Sequence, residues 1–235
     1  MTESEENTDA IINEYGAGVA EAQEVCLSIA AEYGHDLQLP KSAAPNDSIR
    51  EFFFGSCVLS CPRCGKESKV KEWNGTGRIK DEEAWCSICL KKNSVRQLCH
   101  VERNPCLNLP KVYKAGAKTD SPTLNVDALE QYRTTLGEGR PLEFIESLTG
   151  MRSRQTAVGA AESYKRFWID DDPRYPNYKR LFVSFNPTGT DHLRWTSYNP
   201  NGQNISAKED FNLRYCFCPR PDREWWSFDY RSIER

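Results

Sequence analysis

Long apolar runs are missing from this 235-residue sequence. No segment approaches the ~20 apolar residues that a membrane-spanning helix needs. The first residues, MTESEENTDA, are acidic and polar, unlike the start of a secretory signal. We therefore expect a soluble intracellular protein. In that compartment its ten cysteines indicate metal binding or core packing before disulfides.

Internal repeats, low-complexity tracts and a strong net charge are also absent, since the formal charge is only -3. The excess of acidic over basic residues lies in the first fifty positions, which hold ten acidic and two basic residues, and the remainder is mildly basic. Mixed charge of this kind is usually a solvated surface, so it permits nucleic-acid binding without requiring it.

Helical periodicity comes first along the chain. Apolar spacing predicts a helix over Asp9–Tyr33, which Gly34 ends, and QLPKSAAPNDS then forms a linker. Further helices are predicted over SVRQLCHVE, after an N-cap at Asn125, and from Pro141 to Trp168 with interruptions at Gly150 and Gly159.

Short strand-like runs replace the helices after the segment DDDPRYP. They are RLFVSF, DHLRWTS, LRYCF and EWWSF. Helices followed by strands predict an α+β fold or two subdomains.

Two CxxC pairs give the strongest local signal in the sequence. Cys61 and Cys64 form the first pair, in SCPRCGKE, and Cys86 and Cys89 form the second, in AWCSICLK. Each pair can place two thiolates ~2.3 Å from a tetrahedral Zn²⁺, and four such ligands close the coordination sphere. We therefore predict a structural zinc site.

The segment between the pairs, KVKEWNGTGRIKDEEAW, predicts a hairpin that turns at Asn74-Gly75, which completes the layout of a zinc ribbon. Cys57 remains an alternative ligand. A second site is less favoured, because neighbouring side chains on a predicted helix point in different directions. The other candidate thiols and imidazole are Cys99, His100, Cys106, Cys216 and Cys218, which we expect to pack.

Near the end of the sequence, RWTSYNPNGQNI predicts a strand that runs into a turn rich in amides. Amide side chains both donate and accept, which suits contact with base edges or sugars in a minor groove. On composition alone, an ordinary polar loop is the more common explanation.

Five blocks in this order resemble the family A DNA polymerases, the class of bacterial DNA polymerase I and many phage enzymes. The family pattern TGRLSSxxPNLQNI resembles HLRWTSYNPNGQNI, the I-R-x-x-F block resembles LRYCF, and motif A resembles DYRSIER. Upstream, KKNSVRQL and AKTDSPTLNVDALEQY resemble two thumb signatures. The likeness covers roughly residues 92 to 235.

This resemblance implies a catalytic role for motif A. Asp229 matches the aspartate that binds two catalytic Mg²⁺ ions, and Tyr230 would lend a backbone carbonyl to one of them. Glu234 matches the residue that disfavours ribonucleotides by closing the sugar 2′ position. The ions would activate the primer 3′-hydroxyl and hold the leaving pyrophosphate during addition of a dNTP.

The resemblance also implies contacts with primer–template DNA, largely through its minor groove. These residues are Arg194, Thr196, Asn201, Gln203 and Asn204, with Arg152 and Arg154 of the predicted long helix as candidate phosphate contacts. The family's Gly and Leu in the first block are Leu193 and Gly202 here, and its Ser-Gln in motif A is Arg231-Ser232, which leaves nucleotide selection open.

The implied architecture is a helical thumb with an inserted four-cysteine zinc ribbon, followed by the first β-strands of a palm. Its expected parts are an acidic thumb helix and linker (1–50), the ribbon (51–92), thumb helices (93–168) and the palm portion with motif A (169–235). The ribbon is expected to bind DNA or a processivity factor through Lys66, Lys69, Lys71, Trp73 and Arg78, or to be an insertion without a binding role.

Motifs for the fingers, for the second metal-binding carboxylate and for a 3′–5′ exonuclease are not found in the sequence. We therefore expect this polypeptide to be inactive alone and to require a second polypeptide or a continuation that carries the fingers and remaining palm. The alternative is a non-catalytic zinc-ribbon DNA-binding or processivity protein derived from a polymerase. The expected location is the cytoplasm of a bacterial or phage-infected cell.

Overall fold

The structure is a computed structural model that describes residues 2–41, 47–71, 84–93, 96–113, 122–170, 172–187, 195–208 and 211–226. The chain divides into two compact units. Unit 1 is formed by Met1–Val19 with Ser153–Arg235, and unit 2 is formed by Ala20–Arg152.

Both helices and small sheets are present, which confirms the prediction of a mixed helix-and-sheet fold. The helices in the described residues are α1 (Glu5–Glu32), α2 (Asp47–Phe54), α3 (Ser87–Asn93), α4 (Val126–Thr135) and α5 (Arg140–Lys165), with a 3₁₀ turn over Leu213–Cys216. The strands are β1 (Thr2–Ser4), β2 (Ser56–Ser60), β3 (Glu67–Lys71), β4 (Ala84–Trp85), β5 (Leu98–Arg103), β6 (Ile169–Asp170), β7 (Tyr178–Arg180), β8 (Ser184–Asn186), β9 (Thr196–Tyr198), β10 (Ala207–Lys208) and β11 (Phe211–Asn212).

The ends of α1 follow from local chemistry. The backbone N–H of Asn7 donates to Ser4 Oγ at 3.3 Å, so the helix begins a turn before the predicted start. At the other end Gly34 has φ +72, and the N–H of His35 donates to the carbonyl of Ala30 at 2.9 Å. The predicted stop at Gly34 is confirmed.

Helix α5 is continuous, so the predicted interruptions at Gly150 and Gly159 are wrong. A glycine in a helix costs about 1 kcal/mol relative to alanine, which the burial of apolar side chains along α5 readily offsets. At 3.6 residues per turn the buried residues lie on two opposite faces: Phe144, Ile145, Leu148 and Met151 in the first half of the helix, and Ala157, Ala161 and Tyr164 in the second half.

The described residues of unit 1 form three small antiparallel sheets, ordered β1-β7-β6, β8-β9 and β10-β11. Strand β1 pairs with β7 in the register Thr2↔Arg180 and Ser4↔Tyr178. Apolar residues from α1, α5, the 3₁₀ turn with its C-cap, and Leu181 after β7 form its core. The core residues are Ile11, Ala157, Ala161, Tyr164, Leu181, Leu213, Cys216 and Phe217.

Unit 2 combines an aromatic core with a four-stranded sheet. Helix α2 was not predicted, because its residues were divided between a linker and the Cys-rich block. Its Phe52 and Phe53 lie 4.9 Å and 5.8 Å from the ring of Phe144, and Phe53 also contacts Tyr132. The antiparallel sheet has the order β3-β2-β5-β4.

Several local predictions are corrected by this topology. SVRQLCHVE contains strand β5 and not a helix, because Leu98–Arg103 pairs with β2 and β4. LRYCF forms the 3₁₀ turn and not a strand, since Asn212 Oδ1 accepts from the N–H of Arg214 at 3.1 Å. Strands β3 and β4 lie on opposite edges of the sheet and do not pair in a hairpin. Asn74-Gly75 lies outside the described residues.

The predicted C-terminal strands are shorter than expected. RLFVSF is divided between the end of β7 and β8, and only the last two residues of DHLRWTS, Thr196 and Ser197, belong to a described strand, β9. Residues 224–226 of EWWSF are irregular. Among the described helices, none combines the length and the apolar character needed to cross a membrane.

Candidate functional site

The four predicted cysteine ligands meet in unit 2. The Sγ atoms of Cys61, Cys64, Cys86 and Cys89 all lie within 4.8 Å of one another. The Cys61–Cys89 and Cys64–Cys86 sulfur separations are 3.8 Å and 3.6 Å. Four sulfurs bound at ~2.3 Å around a tetrahedral zinc lie about 3.8 Å apart, so the set fits a metal such as Zn²⁺.

Backbone hydrogen bonds shape both cysteine turns. In the first turn the N–H of Cys61 donates to the carbonyl of Lys66 at 3.0 Å, and the N–H of Gly65 donates back to Cys61 O at 2.9 Å. Gly65 has φ +67, which favours glycine there. In the second turn Cys86 N–H donates to Gln97 O at 2.8 Å, and α3 begins directly afterwards.

The same turns stabilise the thiolates of Cys61 and Cys86, one in each pair. Hydrogen bonding from the backbone N–H of Cys64, with that of Arg63, lowers the pKa of Cys61 to about 6. The N–H of Cys89 lies 3.4 Å from the Cys86 sulfur and is the main cause of a lowered pKa at Cys86. Burial raises the pKa of Cys89 to about 12. Metal binding at this cluster would therefore be accompanied by proton release.

The cysteines that the sequence offered as alternative metal ligands lie outside the four-sulfur group. Cys57 is fully buried on β2 and does not belong to the four-sulfur group. Cys99 packs against that group from β5, while its neighbour His100 is exposed. Within the described residues no second cluster of metal-ligating side chains is found. Cys216 is buried in the core of unit 1, as packing predicts.

A polar turn in unit 1 contains four of the predicted DNA contacts, Thr196, Asn201, Gln203 and Asn204. Ser197 Oγ donates to Asn201 Oδ1 at 2.8 Å. The backbone N–H of Gln203 donates to Ser197 Oγ at 3.0 Å and lies 3.2 Å from Asn201 Oδ1. These bonds fix the turn, and the Asn201, Gln203 and Asn204 side chains are exposed beside it. Arg194 lies outside the described residues.

The two arginines of α5 have different surroundings. Arg152 is half-buried, and its Nη1 donates to the carbonyl of Leu124 at 2.7 Å. Burial, together with nearby Arg50, lowers the pKa of Arg152 to about 10. Arg154 is half-buried against α1 at Gly18. Contact of either side chain with DNA phosphates remains a prediction.

The motif A residues Asp229, Tyr230 and Glu234 lie outside the described residues, so the magnesium site and the sugar gate remain predictions. An ion-pair network that the sequence did not reveal lies nearby in the chain. Arg220 is almost completely buried, and its guanidinium lies 3.2 Å from carboxylate oxygens of both Asp172 and Asp222.

Comparison with known proteins adds a structural likeness. No family model matches the sequence, and no curated protein matches it. The fold is similar to the POL domain of Pol1 from M. smegmatis, solved with a DNA primer-template and dNTP, with a TM-score of 0.54 and 16% sequence identity. The likeness covers 91% of this chain and 25% of that chain, so this chain spans about a quarter of its neighbour's length. The chain therefore has a polymerase-like fold.

Proposed function

We propose that this chain is part of a family A DNA polymerase. The observation that carries the proposal is the fold likeness to a polymerase POL domain over 91% of the chain. The order of the five sequence blocks supports the same assignment. In this assignment residues 1–50 and 93–168 belong to the thumb, residues 51–92 form an inserted zinc ribbon, and residues 169–235 begin the palm.

The polar turn would contact the minor groove of the primer–template duplex. Hydrogen bonds within the turn hold Asn201 and the backbone of Gln203, which leaves the side chains of Gln203 and Asn204 exposed. Minor-groove acceptors are nearly the same for every correct base pair, so such contacts tolerate any sequence. This property suits an enzyme that must copy any template.

Asp229 would hold the catalytic Mg²⁺, with help from the backbone carbonyl of Tyr230. Magnesium supplies electrostatic stabilisation of the primer oxygen and of the leaving pyrophosphate during dNTP addition. Glu234 would restrict the sugar 2′ position. Since Mg²⁺ sites of this type use more than one carboxylate, we propose that this polypeptide alone binds DNA without extending a primer.

Duplex binding tests the proposal. Fluorescence anisotropy with a labelled primer–template should show binding that the double substitution Gln203→Ala/Asn204→Ala weakens, because two exposed amides are lost. Asn13→Ala, at an exposed amide on α1, is the matched control and should bind like the parent chain. Equal affinity for all three proteins would contradict the proposed role of the polar turn. Primer extension by the chain alone would contradict its proposed inactivity.

A further inference from the structure

The four-cysteine module has a charge opposite to that of the whole chain. We define it as the described residues 56–71, 84–93 and 96–103, which contain β2, β3, β4, β5, α3 and the four clustered cysteines. The formal charge of the chain is -3, whereas the described part of the module has eight basic and two acidic residues; counted over the whole sequence 56–103, the numbers are ten and six, so the net charge stays positive. The basic residues are Arg63, Lys66, Lys69, Lys71, Lys91, Lys92, Arg96 and Arg103, and the acidic ones are Glu67 and Glu102.

Two of these lysines are paired with acids on α2. Lys69 Nζ lies 2.5 Å from Glu51 Oε2, and Lys71 forms an ion pair with Asp47. Both lysines were candidates for DNA binding on sequence grounds, as were Trp73 and Arg78, which lie outside the described residues. The ion pairs make Lys69 and Lys71 poorer candidates for a phosphate contact.

One end of the sheet holds the clustered cysteines, and we call it the metal end. Four other basic residues lie at this end in the order of the chain and the strands. Arg63 and Lys66 lie in the turn that follows β2, and Lys91 lies in α3, next to the second cysteine pair. Arg96 precedes β5, whose His100 pairs with Ser60 at the end of β2. All four side chains are exposed.

Exposed apolar side chains accompany these cations. Trp85 and Leu98 are direct partners across β4 and β5, so their side chains lie on the same face of the sheet. Trp85 is 46% exposed, Leu98 is 41% exposed and Leu90 of α3 is 45% exposed. Proteins that bind single-stranded nucleic acid combine an exposed aromatic ring with basic side chains, because bases stack on the ring while phosphates meet the charges.

We infer that the metal end of the four-cysteine module binds single-stranded DNA. Trp85 stacks on an unpaired base, and Arg63, Lys66, Lys91 and Arg96 neutralise the adjacent phosphates. Metal in the four-cysteine site fixes both turns and therefore the spacing of the cations. The charges and exposed side chains of the module carry this assignment, so it holds independently of the proposed polymerase function.

Anisotropy with a labelled oligothymidylate tests the inference on the full, zinc-loaded chain. Trp85→Ala should weaken binding about tenfold, since stacking contributes ~1–3 kcal/mol per base. Arg63→Ala/Lys66→Ala should reduce the slope of log affinity against log salt by about 1.4, because each single-strand phosphate contact contributes ~0.7. The control is Lys69→Ala/Lys71→Ala, which removes the same charge from the α2 side of the module.

The control should change the affinity by less than about twofold, because its lysines are engaged by Glu51 and Asp47. Zinc content and thermal unfolding are measured for every variant, and only variants that retain both are compared. Equal losses in both double variants, or an unchanged affinity for Trp85→Ala, would overturn the inference. Loss of duplex binding in Gln203→Ala/Asn204→Ala with oligothymidylate binding intact would separate the two proposals.

Discussion

Arg154 crosses Gly18 so closely that a Cβ atom at position 18 would lie 2.8 Å from both Cδ and Nε of the arginine. The missing side chain of Gly18 therefore provides the space in which Arg154 lies against α1. Gly16, one half-turn earlier on the same helix, has open space around its own Cβ position. The two glycines form a matched pair for substitution.

Gly16→Ala should stabilise the protein by about 0.5–1 kcal/mol, because alanine costs less backbone entropy in a helix. Gly18→Ala should gain less, since Arg154 must first move out of its position. Urea unfolding of both variants measures the difference. If Arg154 contacts DNA phosphates, Gly18→Ala should also weaken duplex binding. An equal gain in stability for both variants would show that the Arg154 side chain moves aside without a measurable loss in the free energy of unfolding.

Glu3 gives a pH-dependent prediction. Its carboxylate is fully buried and accepts from Trp168 Nε1 at 2.8 Å and Thr8 Oγ1 at 2.7 Å, yet burial raises its pKa above 4.5. The folded state then binds a proton more readily than the unfolded state. Its contribution to the free energy of unfolding is largest below pH 4.5 and falls as pH rises through the folded pKa.

In Glu3→Gln no buried carboxylate ionises, so the free energy of unfolding should no longer fall for this reason as the pH rises. The variant should therefore be more stable than the parent chain at neutral pH. The amide oxygen can accept from Trp168 Nε1, and the amide N–H can donate to Thr8 Oγ1. The Thr8 hydroxyl then donates to the carbonyl of Ser4, which is 2.8 Å away. Urea unfolding between pH 4 and pH 7 checks the difference, with Glu6→Gln on the exposed side of α1 as control. The same pH slope in parent and variant would contradict the assignment.

Zinc analysis tests the cysteine cluster. The purified chain should contain one zinc ion, and Cys61→Ser/Cys64→Ser should contain none and unfold at a lower temperature, because two of four ligands are lost. Cys218→Ser, outside the cluster, should keep its zinc. Zinc affinity should fall on acidification, since Cys61 with a pKa of about 6 becomes protonated. Zinc retained by the double variant would exclude this site.

The N-cap of α4 provides a test of local stability. Asn125 Oδ1 accepts from the N–H of Ala128 at 3.0 Å. Asn125→Ala should cost about 1 kcal/mol, whereas Asn125→Asp should retain most of the stability because its carboxylate also accepts. Chemical unfolding measures both changes. Similar losses for the two variants would show that the cap contributes through something other than its acceptor.

Features fixed by short-range chemistry were predictable from the sequence. Asn125 caps α4 and Gly34 ends α1 because each acts on residues within one turn of the helix. The positions of the four clustered cysteines were predictable for the same reason, since each CxxC turn is a local structure. The CxxC spacing favours Cys61 over Cys57, and the structure, in which Cys57 is not part of the four-sulfur group, agrees.

Features decided by distant partners were not predictable in this way. The residues of β5 suit a helix or a strand, and pairing of Cys57 with Arg103 and of Trp85 with Leu98 selects the strand. The exposed Trp85–Leu98 pair was therefore missed as well. In α5 the burial of Met151 and Ala157 maintains the helix through Gly150 and Gly159, an effect that depends on tertiary packing.

The two units differ in how much of the chain each requires, which has a consequence for synthesis on the ribosome. Unit 2 comes from the continuous stretch Ala20–Arg152, whereas unit 1 joins Thr2–Ser4 to a partner strand at Tyr178–Arg180. Because the chain emerges N-terminus first, unit 2 has all its residues while unit 1 still lacks that partner. We expect nascent unit 2 to resist protease first, with the earliest residues of the chain protected last.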